Sequence, residues 1–173
     1  MNQQKTTGIL LAAALAVGAF AGVGFTRDHN TEPSPKSASD NLSFVDRVET
    51  ATVQKASKDI LETLLAYDFR KPNAAADKAD TLLVGEAVDQ YRRLSTAMAA
   101  AGSKQRLVMY TNVTRVGMQE LTTDHAAVLA YAEQHSLRVP DNKESNVAAQ
   151  IVVTLKKQDG AWKVSDIEPI EPR

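Results

Sequence analysis

The chain has 173 residues, with 20 Lys and Arg against 21 Asp and Glu, a formal net charge of -1. That balance excludes the basic excess of a general nucleic-acid binder, and a hydrophobic content of 43% excludes a disordered chain. Cysteine is absent, which excludes a disulfide framework, a thiolate zinc site and a cysteine nucleophile.

Residues Gly8–Phe25, GILLAAALAVGAFAGVGF, carry no charge over 18 positions. That length sits at the short end of the roughly 17–25 residues a spanning helix needs. Lys5 and the amino terminus precede the run, and Arg27 and Asp28 follow it. The free amine tips the orientation towards an N-terminus inside. Two readings stand: an anchor retained over residues 1–26, or a signal peptide cleaved after Ala21, since Ala19-Phe20-Ala21 fits an A-x-A site. Both place the remainder outside the cytoplasm. The next residues, 27–40 (RDHNTEPSPKSASD), hold Pro33, Pro35 and three serines with no large apolar side chain. They form a flexible tether, in which His29 is solvated rather than a ligand.

A domain follows over residues 41–173. Asn41–Tyr67 reads as one long helix, with Val45, Val48, Ala56, Ile60 and Leu64 at spacings near three and four. Asp40 or Ser43 would cap it. It ends before Pro72, because a residue preceding proline avoids the helical region. A second helix, rich in alanine, spans Ala74–Leu83. A third spans Glu86–Ala101, with Val88, Tyr91, Leu94 and Met98 on one side and Gly102 as its stop. The period then changes to two. Leu107, Met109, Thr111 and Val113 alternate with Val108, Tyr110, Asn112 and Thr114, Val116 and Met118 prolong the run, and Gly117 marks a bulge. Ala126–Gln134 is the second strand. Leu137–Ser145, polar and containing Pro140, reads as a loop. Val147–Lys157 is the third strand, Gln158-Asp159-Gly160 a tight turn, and Ala161–Ile167 the fourth strand, centred on Trp162 and Val164.

Helices followed by strands, rather than alternating with them, predict an α+β class with an antiparallel meander. The expected architecture is an N-terminal transmembrane helix, a linker, and a cone-shaped domain of three helices on a curved four-stranded antiparallel sheet. The apolar segment, the polar linker, the helix end Leu64-Leu65-Ala66-Tyr67-Asp68-Phe69-Arg70, the helix leading to Gly85 and Tyr91, and the hairpin Lys157–Asp166 (KQDGAWKVSD) resemble the Mce-associated membrane proteins of actinobacteria. These accompany mammalian-cell-entry lipid importers. The Asp-Gly-x-Trp-x-Val element alone recurs across the wider nuclear-transport-factor-2-like, cystatin-like superfamily. The resemblance implies the cone fold, a retained anchor and a non-catalytic accessory role in the cell envelope.

Relatives of this fold include small isomerases, cyclases and dehydratases that hold an acid or base in the cone. Pocket or rim candidates are Tyr67, Asp68, Tyr91, Tyr110, Tyr131 and Trp162. Tyr67 lies on the apolar stripe and reads as structural. Asp68 and Arg70 flank a helix end, where they pair locally. Asp124 and His125 are adjacent, so in a strand their side chains diverge and cannot act as a dyad. His135 near a strand end reads as exposed. No H-x-x-x-H pair, Gly-rich phosphate loop or G-x-S-x-G elbow is present. The expectation is therefore no catalytic residue, no metal and no cofactor. The expected partners are the membrane through residues 8–25 and lipid-importer subunits. Pairing of two copies through the sheet is left open, and no nucleic acid is expected. The expected place is the cell membrane, single-pass, with the N-terminus cytoplasmic and the domain extracytoplasmic. Two alternatives stay open. One is a cone that binds or converts a small apolar molecule, unless side chains such as Met109, Leu129 and Trp162 fill it. The other is a scaffold of a type IV secretion system, where one anchor before a cone also occurs.

Overall fold

A computed structural model describes residues 46–170. The apolar segment Gly8–Phe25, the tether with His29, Val45 and the expected caps Asp40 and Ser43 lie outside the described residues. No helix among the described residues is long and apolar enough to cross a membrane.

Helix α1 spans Arg47–Leu64. Its cap is Asp46, whose carboxylate accepts the Glu49 N–H at 2.8 Å. The buried face is Val53, Ser57, Ile60, Leu61 and Leu64. Val48, expected on that stripe, is 78% exposed. Helical phase explains it: at about 100° per residue, Val48 stands about 140° from Val53, whereas Glu49 falls on the inward side. Buried Ser57 is satisfied by donating to the Val53 carbonyl at 2.7 Å.

Strand β1 is Tyr67–Asp68, then come α2 (Ala76–Leu82) and α3 (Glu86–Gln105). Helix α3 runs through Gly102 and stops at Arg106, which takes the left-handed conformation, φ 53. Gly102 is thus not the stop. It is an inward-facing position where a Cβ would lie 2.2 Å from Tyr67 Cε1. Tyr67 packs where that side chain would be, and its hydroxyl lies 3.1 Å from Ser103 Oγ.

Four longer strands complete the sheet: β2 (Leu107–Leu121), β3 (His125–Arg138), β4 (Lys143–Gln158) and β5 (Ala161–Ile170). Their order is β1-β2-β3-β4-β5, with every pair antiparallel. The sheet therefore has five strands, not four. The two-residue β1 is too short to show a period. Residues 137–145 are not a loop: β3 runs to Arg138 and β4 starts at Lys143, joined by a 3-10 turn at Val139–Asp141 that contains Pro140. Arg138 grips Asp141 with two bonds of 2.8 and 2.7 Å across that turn. The expected Asp159-Gly160 turn is present, both residues at positive φ (54 and 78) as a two-residue hairpin requires.

The sheet is curled, and its irregularities lie at Thr114 and Gln119 rather than at Gly117, which pairs regularly with Leu129. Each irregularity shifts the pleat by one residue. The inward residues are Leu107, Met109, Thr111 and Val113, then Val116 and Met118, then Leu121. Helix α1 services the first irregularity. Lys58 Nζ donates to the Val113 carbonyl at 2.6 Å, Glu62 accepts the Val113 N–H at 2.8 Å, and Gln54 donates to the Val116 carbonyl at 3.0 Å. Backbone groups freed by a bulge must find partners, and three side chains of one helix supply them. Helix α3 does the same where β5 shifts against β4. Gln90 accepts the Ile167 N–H at 3.0 Å and donates to Asp166 at 2.6 Å.

Candidate functional site

The helices cover one face of the sheet. The expected site residues separate accordingly. Tyr67, Tyr91 and Trp162 are in the core. Asp68 lies half-buried at the rim, held by Arg70 through a two-pronged contact of 2.8 and 2.7 Å. Arg70 holds its carboxyl below the usual carboxylate range. Tyr110 and Tyr131 stand on the opposite, outer face, 57% and 40% exposed. The structure thus brings three of the six together in packed core and leaves the others elsewhere.

The core itself has little acid–base chemistry. Burial pushes the Tyr91 phenol up to about 12, away from the range in which a general acid works near neutral pH. Trp162 Nε1 donates to Glu49 at 2.7 Å, and Lys157 donates to the same oxygen at 2.7 Å with its ammonium 5.4 Å from the indole centroid. This ties the first turn of α1 to the β4–β5 hairpin. Lys157 and Trp162 hold the Glu49 carboxyl below its ordinary value. Met109 and Trp162 are buried as a filled cone requires; Leu129 points to the outer face and fills nothing. Gln134 Oε1 is the one buried side-chain atom without a partner among the described residues. Asp124 is exposed, and its carboxylate is reached by the Thr122 hydroxyl at 3.3 Å rather than by His125. Among the described residues no cluster of His, Cys, Asp and Glu could hold a metal ion.

The outer face is a different surface. Tyr110 stacks on His135 with ring centroids 4.6 Å apart and an angle of 11°. His135 is half-buried rather than exposed, with Glu133 at 4.0 Å. Strand register then sets Tyr131 beside Gln150 and, across β4, Ile170, which is 44% exposed. The next row is Gly117, Leu129 and Val152. Ala127 and Ala148 add apolar surface, while Asn112 and Glu133 form the row between His135 and Tyr131, Arg115 pairs with Tyr131 and Glu168 with Val152. Apolar and aromatic side chains interleaved with charged ones are common in contact surfaces. The alternation in β3 places Leu129 and Tyr131 together. What periodicity does not reveal is that neither face of a strand is labelled inner or outer until the helices are placed.

No protein-family model matches the chain. A protein of Mycobacterium tuberculosis described as uncharacterised is 28% identical over 116 residues, 66% of this chain and 53% of that one. The chain thus spans about half the length of that relative. An outer membrane protein of the same organism is 26% identical over 124 residues, 71% of this chain and 77% of its own. Among solved structures, the Helicobacter pylori type IV secretion protein CagV, a VirB8 homologue, superposes with a TM-score of 0.59 at 11% identity, covering 71% of this chain and 99% of that one. The periplasmic domain of DotI gives 0.61 at 11% identity, with 70% and 95% covered. A Legionella pneumophila IcmL-like type IV secretion protein gives 0.56 at 13% identity, with 74% and 96% covered.

The described domain shares the fold of these solved structures. It is the nuclear-transport-factor-2-like arrangement that the sequence resemblance implies; the comparisons carry no sign of the Mce association itself. At such identities the likeness is one of fold, which different functions share.

Proposed function

We propose that this chain is a membrane-tethered, non-catalytic docking domain of a multi-subunit cell-envelope assembly, of the scaffold kind found in type IV secretion systems. The observation that carries it is the likeness of the described domain to two type IV secretion proteins, 96–99% of whose chains it covers. The packed core with its raised Tyr91 and the open apolar outer face support the same reading. In this account residues 1–26 anchor the chain and residues 27–40 tether it. Anchoring holds the domain within a few nanometres of membrane partners and raises its effective concentration for them. The domain then lies outside the cytoplasm. Its outer sheet face meets protein, and the tether limits where.

A second reading, accessory to a lipid importer, is favoured by one observation. Both curated relatives are proteins of Mycobacterium tuberculosis, an actinobacterium, the group in which the resembling Mce-associated proteins occur. The two readings share the docking role and differ in the partner. Purification of the full-length chain from its host in mild detergent, with mass spectrometry of what accompanies it, tests both. Secretion subunits support the first reading and importer subunits the second. A lone chain carrying a stoichiometric small apolar molecule would overturn both in favour of a pocket protein.

A further inference from the structure

We propose that the pole of the domain around Arg106 binds the phosphate groups of an anionic lipid surface, with Lys71, Lys104 and Arg106 as the recognising cations. The inference rests on the membrane-tethered reading above and deepens it by naming a second contact with the membrane. Helix α3 ends at this pole, β1 and β2 begin there, and the β3–β4 turn closes it. Backbone contacts join these parts. The Phe69 N–H donates to the Leu107 carbonyl at 3.0 Å, and the Val139 N–H donates to the Arg106 carbonyl at 3.2 Å. The Phe69 ring gathers two guanidinium groups, that of Arg106 at 5.1 Å from its centroid and that of Arg70 at 5.7 Å. Lys71 adds, after Arg70, to the field that holds the Asp68 carboxyl below its ordinary range. Lys104 stands in the last turn of α3.

Cations are in excess here, in a chain whose net charge is -1. Both nearby aspartates are already held, Asp68 by Arg70 at 2.7 Å and Asp141 by Arg138 at 2.7 Å. Lys143 lies 4.0 Å from the same Asp141. Glu144 pairs with Leu137, on the outer row of the sheet and away from the helix side. Lys71, Lys104 and Arg106 are exposed, and none has a carboxylate in ion-pair reach among the described residues. Exposed cations without a partner draw an oxyanion. The backbone of Arg106 points the same way. It follows α3 in the left-handed conformation, φ 53 and ψ 54, with its N–H turned back to the carbonyls of Gly102 and Ser103. Helices most often place glycine there, because a Cβ strains that conformation. Glycine would serve the fold at 106, so what arginine supplies is its guanidinium.

Apolar surface beside the cations favours a lipid surface over an acidic protein segment. Val139 is 40% exposed and Pro140 is exposed, both at the end of the β3–β4 turn that rests on Arg106. Phe69 is half-buried between the guanidinium groups. Apolar side chains at headgroup depth, with arginine and lysine on the phosphates around them, make an interfacial contact. Guanidinium also matches a phosphate with two parallel hydrogen bonds. Chain length permits the contact. The pole lies at the far end of α1 from Asp46, about 27 Å along the 18-residue helix at about 1.5 Å per residue. Residues 27–45 can reach about 65 Å at about 3.4 Å per residue, enough to return the pole to the membrane that holds the anchor.

The chain has no cysteine, so Val139→Cys offers a single labelling site for a polarity-sensitive fluorophore. The labelled full-length chain is placed in lipid discs of phosphatidylcholine alone, and in discs of equal parts phosphatidylcholine and phosphatidylglycerol. Emission is expected to at least double in the anionic discs, and the gain to shrink as salt is raised. Arg106→Gly is expected to abolish the gain without lowering Tm by more than about 3 °C, since glycine fits the left-handed position. Lys71→Gln with Lys104→Gln, both at exposed positions without ion pairs, should reduce the gain with the backbone at 106 untouched. Equal emission in the two kinds of disc overturns the proposal, as does a gain that survives both variants. If envelope subunits still co-purify from the host in that case, the docking reading stands; if none do, both fall. A rise in Tm with inorganic phosphate, lost in Arg106→Gly and without any response to the anionic discs, assigns the cations to a free oxyanion and overturns the lipid surface. Loss of a co-purifying subunit in Arg106→Gly, again without a response to lipid, assigns them to an acidic partner and also overturns it.

Discussion

Replacing Gly102 with alanine should destabilise the domain, although glycine inside a helix is ordinarily a weakness. Alanine gains about 1 kcal/mol of helix propensity over glycine. Against that, its Cβ would lie 2.2 Å from Tyr67 Cε1 and 2.6 Å from Cζ. A carbon pair needs about 3.5 Å or more, so the ring must move by more than an ångström. It cannot swing freely, because Tyr67 is buried and its hydroxyl is held at Ser103 Oγ. Overpacking of this kind costs about 1–3 kcal/mol, and so close an approach belongs at the upper end. The net expectation is a loss of about 2 kcal/mol. For a domain of about 125 residues that lowers Tm by about 8 °C. Tyr67→Ala alone should cost about 3–5 kcal/mol by leaving a cavity. On that background Gly102→Ala has nothing to strike, and should stabilise by about 1 kcal/mol. Urea denaturation of the four proteins of this cycle, followed by the fluorescence of the single tryptophan, measures both numbers. A Gly102→Ala variant as stable as the parent, or one that costs the same with and without the Tyr67 ring, refutes the reasoning.

Glu62→Ala should cost about 1–3 kcal/mol in chemical denaturation, because it strips the Val113 N–H of its acceptor at the bulge. The Glu49 carboxyl is held low in the folded state by Lys157 and then Trp162, so its contribution is present above the unfolded value and lost as pH falls through the folded one. Stability measured across acid pH should therefore fall less steeply in Glu49→Gln than in the parent, with the Trp162 emission altered at neutral pH. Tyr110→Ala and Tyr131→Ala remove exposed rings from the outer face, so thermal unfolding should shift by no more than about 0.5 kcal/mol for surface positions, while recovery of co-purifying partners falls.

Much of the fold is legible in the chain because apolar period and turn chemistry agree. The change from period near 3.6 to period two after residue 105 separates helices from strands, and Asp159-Gly160 fixes the last hairpin. The slip of the inward set from Val113 to Val116 is itself visible as a lost alternation. Gly117 does not mark its site, because glycine is not what this bulge needs. Partners for the freed Val113 groups are what it needs, and these come from Lys58 and Glu62, far off in sequence. Gly102 misleads for a related reason: a helix tolerates glycine where a distant ring occupies the space of its side chain. The polar turn at 137–145 conceals strand, since Arg138 and Lys143 pair through backbone and need no apolar face. The interaction face is half legible. Leu129 and Tyr131 share a parity, but which parity faces the helices is decided by packing.

The central claim is that the outer sheet face docks this domain into an envelope assembly. The most direct measurement introduces Leu129→Glu with Tyr131→Glu into the full-length chain in its host and quantifies the accompanying subunits by mass spectrometry. The account predicts an intact domain, seen as unchanged unfolding, and at least a ten-fold loss of subunits that the parent recovers in fixed ratio. Undiminished recovery from the doubly charged face would contradict it.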